Sequence, residues 1–195
     1  MLDKANRWVC NCFVEGGVCV GPRVAYGDGM TSNPFSISFE RLLKIAHLGD
    51  STVLITGQTG TGKSTLAKKI HLESRRKDRP FVAINLATLH EGVLESELFG
   101  HEKGAFTGAD QRRIGRLELA NAGTVFLDEV SELSPRLQAR LLEFIQSKTI
   151  VPVGGNKEIQ LDIRVVAATH KDLDLAVRKG DFREDLFHRL RGGKL

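Results

Sequence analysis

The sequence predicts an α/β fold in which a mostly parallel sheet is covered by helices on both faces. Short runs of consecutive apolar and β-branched residues recur at Thr52–Thr56, Phe81–Ile84, Thr124–Leu127 and Ile163–Ala168, without the alternation of a half-exposed strand. Helical patterns separate these runs, as the crossovers between parallel strands require. The first run also ends in a glycine-rich turn that opens directly onto a helix.

Residues 1–35 differ from the remainder of the chain. Gly16-Gly17, Gly21-Pro22, Gly27-Asp28-Gly29 and Asn33-Pro34 are turn signals, and only short apolar runs such as Val18–Val20 lie between them. They read as a lead-in of loose structure, a hairpin, or the remnant of an upstream domain. Residues 36–195 are expected to form the α/β core. Phe39, Leu42, Leu43, Ile45 and Ala46 give Phe39–Leu48 the pattern of a short amphipathic helix. A helix is expected over Lys63–Glu73, and another over Gly92–Phe99 with Val93, Leu94 and Leu98 on one side. Ser134-Pro135 starts a helix to Gln146 that carries Leu137, Leu141, Phe144 and Ile145 at helical spacing. Two more helices are expected around Leu173–Arg178 and Phe182–Leu190.

Composition narrows the class. A chain of 195 residues makes one domain of ordinary size, and 41% hydrophobic with 27% charged residues is globular usage. No run reaches the ~18 apolar residues of a membrane span, and Met1–Met30 lacks the pattern of a signal peptide, so a soluble cytoplasmic protein is expected. The net charge of +4 is spread evenly along the chain, which argues against a groove that tracks nucleic-acid phosphates. Cys10, Cys12 and Cys19 read as reduced thiols, and with the first histidine at His47 they lack a fourth zinc ligand nearby. Twenty glycines are a mild excess, and their placement matters.

The run Gly57-Gln58-Thr59-Gly60-Thr61-Gly62-Lys63-Ser64, continued by Thr65, matches G-x-x-x-x-G-K-[ST] between a strand and a helix. The glycines let successive backbone N–H groups turn inward on phosphate oxygens, and the helix N-terminus adds partial positive charge. Lys63 is placed to reach the β- and γ-phosphates of ATP, and the Ser64 hydroxyl to ligate Mg²⁺. Asp128-Glu129 lies just past the strand Thr124–Leu127, at the ligand edge of a parallel sheet. Asp128 is placed to hold Mg²⁺, directly or through water, and Glu129 to polarise the attacking water.

Gly100, Gly104 and Gly108 break any helix between Gly100 and Ala109 and leave Phe106 at the tip of a polar segment. Such an aromatic either forms a binding surface or folds back onto the core.

Glu97-Leu98-Phe99-Gly100-His101, running into Gly104-Ala105-Phe106-Thr107-Gly108-Ala109, resembles the signature of the AAA+ domain of bacterial enhancer-binding proteins, the activators of sigma-54 RNA polymerase. The resemblance covers about Ser51 to Leu190. It implies a P-loop NTPase three-layer sandwich that works as a hexameric or heptameric ring. It also implies a Gly104–Ala109 loop that contacts sigma-54, chiefly through Phe106 and Thr107, and a second surface loop at Val151–Asn156 that moves with the first. Asn85 resembles the switch asparagine that holds the catalytic glutamate, here Glu129, and Thr169 resembles the sensor threonine. The segment Phe182–Leu190 resembles the arginine-finger segment, with Arg183 and Arg189 reaching a neighbouring subunit's site.

Two departures are minor: Gly62-Lys63-Ser64 stands where many members have Gly-Lys-Glu, and Leu86 where a cysteine is common. Arg191–Leu195 falls where the family continues into its last core strand and helical lid, so an α/β core without these is expected. No DNA-binding segment is recognised. The expected function is ATP hydrolysis that remodels sigma-54 RNA polymerase. The alternative is a nucleotide-binding or protein-interaction fragment with poor turnover for want of a lid. A small-molecule kinase fits the phosphate loop but leaves Gly104–Ala109 unexplained.

Overall fold

The structure, a computed structural model, describes residues 51–88 and 90–192, together with Trp8–Val9, Ser36–Ile37, Lys44, His47 and Gly49. The three cysteines, the rest of the lead-in, and the expected helix over Phe39–Leu48 apart from Lys44 and His47 lie outside the described residues. The strands are β1 (Trp8–Val9), β2 (Ser36–Ile37), β3 (Val53–Thr56), β4 (Phe81–Asn85), β5 (Thr124–Asp128), β6 (Thr149–Ile150), β7 (Ile159–Gln160) and β8 (Arg164–Thr169). The helices are α1 (Lys63–Leu72), α2 (Glu91–Phe99), α3 (Arg116–Leu119), α4 (Pro135–Ser147), α5 (Leu173–Lys179) and α6 (Glu184–Leu190), with a 3₁₀ turn at Val130–Glu132.

The four apolar runs form one parallel sheet in the order β3-β8-β5-β4. Alternate residues feed two cores. Val53, Ile55, Phe126, Val166 and Ala168 pack with Leu66, Ala67 and Ile70 of α1. Leu54, Val125, Leu127, Val165 and Ala167 pack in a larger cluster with residues of α2, α4 and α6. Both faces are covered, which is why these strands read as continuous apolar runs.

In α4, Pro135 occupies the first turn and the Ser134 hydroxyl accepts a hydrogen bond from the Leu137 N–H at 3.4 Å, while Leu137, Leu141, Phe144 and Ile145 are buried. In α2 the expected apolar side is corrected. Leu94 and Leu98, four residues apart, are buried, but Val93 is 50% exposed. Neighbouring helical positions lie ~100° apart, so Val93 is turned off the shared face. The antiparallel pair β6–β7 and the single turn α3 were not expected, being too short to show a period.

At the opposite edge of the sheet from the phosphate loop, His71 of α1 shares a hydrogen bond of 3.0 Å with Thr124 Oγ1 and lies against Phe81, with ring centroids 5.2 Å apart. Burial, aided by the nearby Arg164 charge, pushes the His71 imidazole below its ordinary value, against hydrogen bonds with the Arg79 and Lys77 backbone. The unfolded chain therefore takes up the proton first. Stability is expected to hold above about pH 6.5 and to fall below it with a slope of up to ~1.4 kcal/mol per pH unit. Thermal melts of wild type and His71→Gln between pH 7.5 and 5.5 check this, the variant showing the shallower decline.

Candidate functional site

Strand register brings the predicted polar residues to one edge. Thr56 lies opposite Thr169, Asn85 opposite Asp128, and Asp128 opposite Ala168, so the C-terminal ends of all four strands share a row. The segment from Gly57 to Thr65 passes over that row. The Gly57 N–H donates to the Thr169 carbonyl at 3.2 Å, joining the exits of β3 and β8. Thr61 closes the turn through its hydroxyl, which donates to the Gln58 carbonyl at 2.7 Å. Gly62, at φ 86°, caps α1 without a side-chain hydrogen bond. A Cβ there would meet nothing within 4 Å, so the backbone angle rather than crowding calls for glycine. The first N–H groups of α1 are thus presented to an anion. Gln58, Thr59, Gly60, Ser64 and Thr65 lie around this turn, with Ser64 and Thr65 exposed, and Lys63 is buried at its centre.

The Lys63 ammonium donates to the carbonyls of Gly57 at 3.0 Å and Gln58 at 3.3 Å, and stands 3.3 Å from Glu129 Oε1. The phosphate-loop lysine and the strand-end carboxylate therefore meet. Glu129 adopts the left-handed region, with φ 60° and ψ 52°, an unusual conformation for a residue with a side chain. Burial works to raise its carboxyl. Hydrogen bonds from the His170 side chain and backbone, with the Lys63 charge, outweigh this and hold it below the ordinary carboxylate value.

Asp128 is placed differently. Burial, then the Glu129 charge, push its carboxyl up, with Lys63 acting in the opposite direction. Its Oδ1 is buried with no hydrogen-bond partner. A buried acceptor without a donor, at the same sheet edge as the exposed Ser64 hydroxyl, fits an oxygen-seeking divalent cation or its water shell. Thr169 is fully buried, and its hydroxyl donates to Ser131 Oγ at 2.9 Å and accepts from the Lys171 N–H at 3.1 Å.

The expected contact between Asn85 and Glu129 is not made. Asn85 Oδ1 accepts the Ala87 N–H at 2.9 Å, a local turn. His170 contacts Glu129 instead. Its backbone N–H and Nδ1 lie 3.0 Å and 2.6 Å from Glu129 Oε2. Sequence reasoning passed over His170, and the only signal was its place directly after Thr169 at the ligand edge.

Arg183 begins α6 with its guanidinium paired to both carboxylate oxygens of Asp185, at 3.0 Å and 2.7 Å. Arg189 Nε is buried and has no hydrogen-bond partner. Neither arginine contacts Glu129 or Lys63 among the hydrogen bonds and ion pairs of the described residues.

The segment Gly104–Ala109 is a closed turn rather than an open flexible strand. The Gly104 N–H donates to the Ala109 carbonyl at 2.8 Å, and the Ala109 N–H to the Phe106 carbonyl at 3.0 Å. Phe106 is 46% exposed and rests edge-on against His101, with ring centroids 5.0 Å apart. His101 is itself buried, its Nδ1 sharing a hydrogen bond of 2.6 Å with Ser96 Oγ in α2. Phe106 thus neither joins the core nor stands free. Thr107 and Gly108 are exposed beside it.

The base of this loop is joined to Val151–Asn156. The Glu102 N–H donates to the Val153 carbonyl at 3.0 Å, and the Val153 N–H to the Gly100 carbonyl at 2.9 Å. Arg140 of α4 extends the connection. It binds Glu95 of α2 at 2.7 Å and the Val151 carbonyl at 2.6 Å, and lies 4.0 Å above the Phe99 ring.

The sigma-54 interaction domain family matches residues 30–195. The chain belongs to this family. The sigma-54 interaction domain is 55% identical over 140 residues to the Nif-specific regulatory protein of Herbaspirillum seropedicae, a match that covers 72% of this chain and 26% of that protein. Among solved structures it resembles NtrX from Brucella abortus in complex with ATP, with a TM-score of 0.69 and 36% identity over 76% of this chain and 33% of that one. It also shares the fold of the P-loop NTPase domain of the sigma-54 transport activator from E. coli, with a TM-score of 0.51 at 19% identity over 76% of this chain and 97% of that one. The chain spans about a quarter of the Nif-specific regulator it matches. Its fold is that of a P-loop NTPase, with the parallel α/β sheet expected. Among the described residues no helix is long and apolar enough to cross a membrane, and no group of three or more His, Cys, Asp and Glu side chains is gathered as a metal cluster.

Proposed function

We propose that this domain hydrolyses ATP and uses the cycle to move a sigma-54-contacting surface formed by Gly104–Ala109. The observation that carries the proposal is the meeting of Lys63 with Glu129, 3.3 Å apart at the mouth of the phosphate loop. A lysine that neutralises phosphate charge and a carboxylate that accepts a proton from water belong at the two ends of one reacting phosphoryl group. The backbone from Gly57 to Gly62 would cradle the phosphates, and Ser64 and Asp128 would hold Mg²⁺. When bound, Mg²⁺ supplies charge neutralisation on the phosphate oxygens. Glu129 accepts the proton of the attacking water, and Thr169 with Ser131 reports the γ-phosphate position to the 3₁₀ turn. Asn85, turned to its own backbone here, would act on Glu129 only after changing rotamer.

The path from site to surface is short. The turn Val130–Glu132 begins beside Glu129 and leads into Ser134, whose hydroxyl donates to Glu91 of α2. From α4, Arg140 reaches both Glu95 and Val151, so a shift of α4 against α2 would be felt by both loops. Rings of six or seven copies would let Arg183 or Arg189 enter the next protomer's site, where an arginine in trans raises turnover ~10³–10⁵-fold. The orphaned Nε of Arg189 favours that residue for the role, since Arg183 is already paired with Asp185. The partner would be sigma-54 RNA polymerase, with no DNA contact by this segment, in the cytoplasm.

The test is phosphate release with ATP and Mg²⁺ against protein concentration. Turnover per protomer is expected to rise with concentration as rings form and to vanish in Lys63→Ala. A wild type that releases no phosphate at any concentration overturns the proposal.

The joined loops yield a further prediction. Gly154 sits at φ 73°, and a Cβ there would lie 2.6 Å from Ala105 Cβ. Gly154→Ala is expected to push the loops apart and weaken sigma-54 retention ~10-fold or more in a pull-down with purified sigma-54, leaving phosphate release within about twofold. Equal retention by both proteins would show that the contact is not needed.

A further inference from the structure

We propose that His170 is a positioning residue for Glu129, anchoring one carboxylate oxygen so that the other faces the reacting water. This rests on the ATPase reading above. Three observations combine. His170 presents two donors to Glu129 Oε2, its backbone N–H at 3.0 Å and its Nδ1 at 2.6 Å. Oε1 is left on the side of Lys63, 3.3 Å from the ammonium, and so on the side of the phosphate loop. The Glu129 backbone holds the left-handed conformation, which is strained for a non-glycine residue and persists only where neighbours over-determine it.

A general base works best with its accepting atom fixed, and a carboxylate on a flexible side chain otherwise samples several rotamers. Two donors on Oε2 remove that freedom and leave Oε1 to take a proton. Nδ1 must carry the proton in this arrangement, since Oε2 of an ionised carboxylate can only accept. Asn85 does not provide the hold here: its Oδ1 accepts the Ala87 N–H, and no hydrogen bond joins its amide nitrogen to Glu129 among the described residues. Thr169, one residue earlier, is anchored to Ser131, so the segment that presents His170 is fixed at both its backbone and its neighbour.

The roles separate by substitution. Asparagine places an amide nitrogen where histidine places Nδ1, whereas glutamine reaches past it. His170→Ala and His170→Gln are therefore expected to lower kcat for ATP about 10-fold or more with KM within twofold, and His170→Asn to return kcat to within about threefold of wild type. An unchanged or raised kcat in His170→Ala, or equal losses in the alanine and asparagine variants, would overturn the role. A second measurement is independent of turnover. Nitrogen NMR of the histidine-labelled full chain is expected to show a protonated Nδ1 at His170 whose resonance moves in Glu129→Gln. A His170 resonance indifferent to Glu129 would overturn the contact. If wild type proves inactive while this resonance shift is seen, the ATPase reading fails and the positioning contact stands.

Discussion

Glu129→Gln is expected to lower steady-state ATP hydrolysis ~100-fold or more while leaving ATP affinity within about twofold. Glutamine keeps the length and hydrogen-bonding reach of the side chain, so the contacts of Oε2 with His170 are largely retained. What disappears is the negative charge and the capacity to take a proton, worth ~10²–10⁴ in rate for a positioned base. The Lys63 ammonium loses its 3.3 Å partner, but phosphate oxygens replace it in the bound state, which keeps the affinity. Asp128→Asn serves as the contrasting variant. Its Oδ1 has no protein partner, so its loss is expected to appear as a raised Mg²⁺ requirement. Phosphate-release kinetics over a Mg²⁺ titration distinguish the two, and equal rates in wild type and Glu129→Gln would remove Glu129 from the chemistry.

Phe106→Ala is expected to reduce sigma-54 binding ~30-fold or more without altering phosphate release. The ring is half exposed, held edge-on by His101, and presented by a turn that closes on itself through Gly104 and Ala109. A pre-positioned aromatic gives large contact area at low entropic cost, and truncating such an anchor typically costs ~2–4 kcal/mol. Because Phe106 contributes nothing to the core, the fold and the phosphate loop are unaffected. Binding measured with purified sigma-54, alongside the ATPase rate of the same preparation, checks both halves of the prediction.

The sequence carried most of the fold because a parallel sheet buried on both faces writes itself as apolar runs. Each of the four runs became a strand, and the phosphate loop and Asp128-Glu129 fell at its exit edge. The features it did not disclose depend on contacts between distant segments. His170 reaches Glu129 across 41 positions of chain, and nothing local marks a histidine at a strand end as a hydrogen-bond donor to a carboxylate. The clasp between the two surface loops rests on backbone hydrogen bonds of Gly100, Glu102 and Val153, which any residue type can make. Arg164 opens a strand whose six residues are all buried, a position that apolar patterning would reserve for a hydrocarbon side chain. The resemblance to enhancer-binding proteins pointed to Asn85, Asp128 and Thr169, which the strand register sets along one edge. Its switch asparagine, however, is turned to its own backbone at Asn85.

The chemistry at Glu129 governs the surface carried by Phe106, on this account. The most direct measurement is the affinity of the protein for purified sigma-54 with a non-hydrolysable ATP analogue and Mg²⁺, compared with ADP and with no nucleotide. At least a ~10-fold difference is expected between the triphosphate and diphosphate states, lost in Phe106→Ala. An affinity for sigma-54 that is the same in all three nucleotide conditions would contradict it.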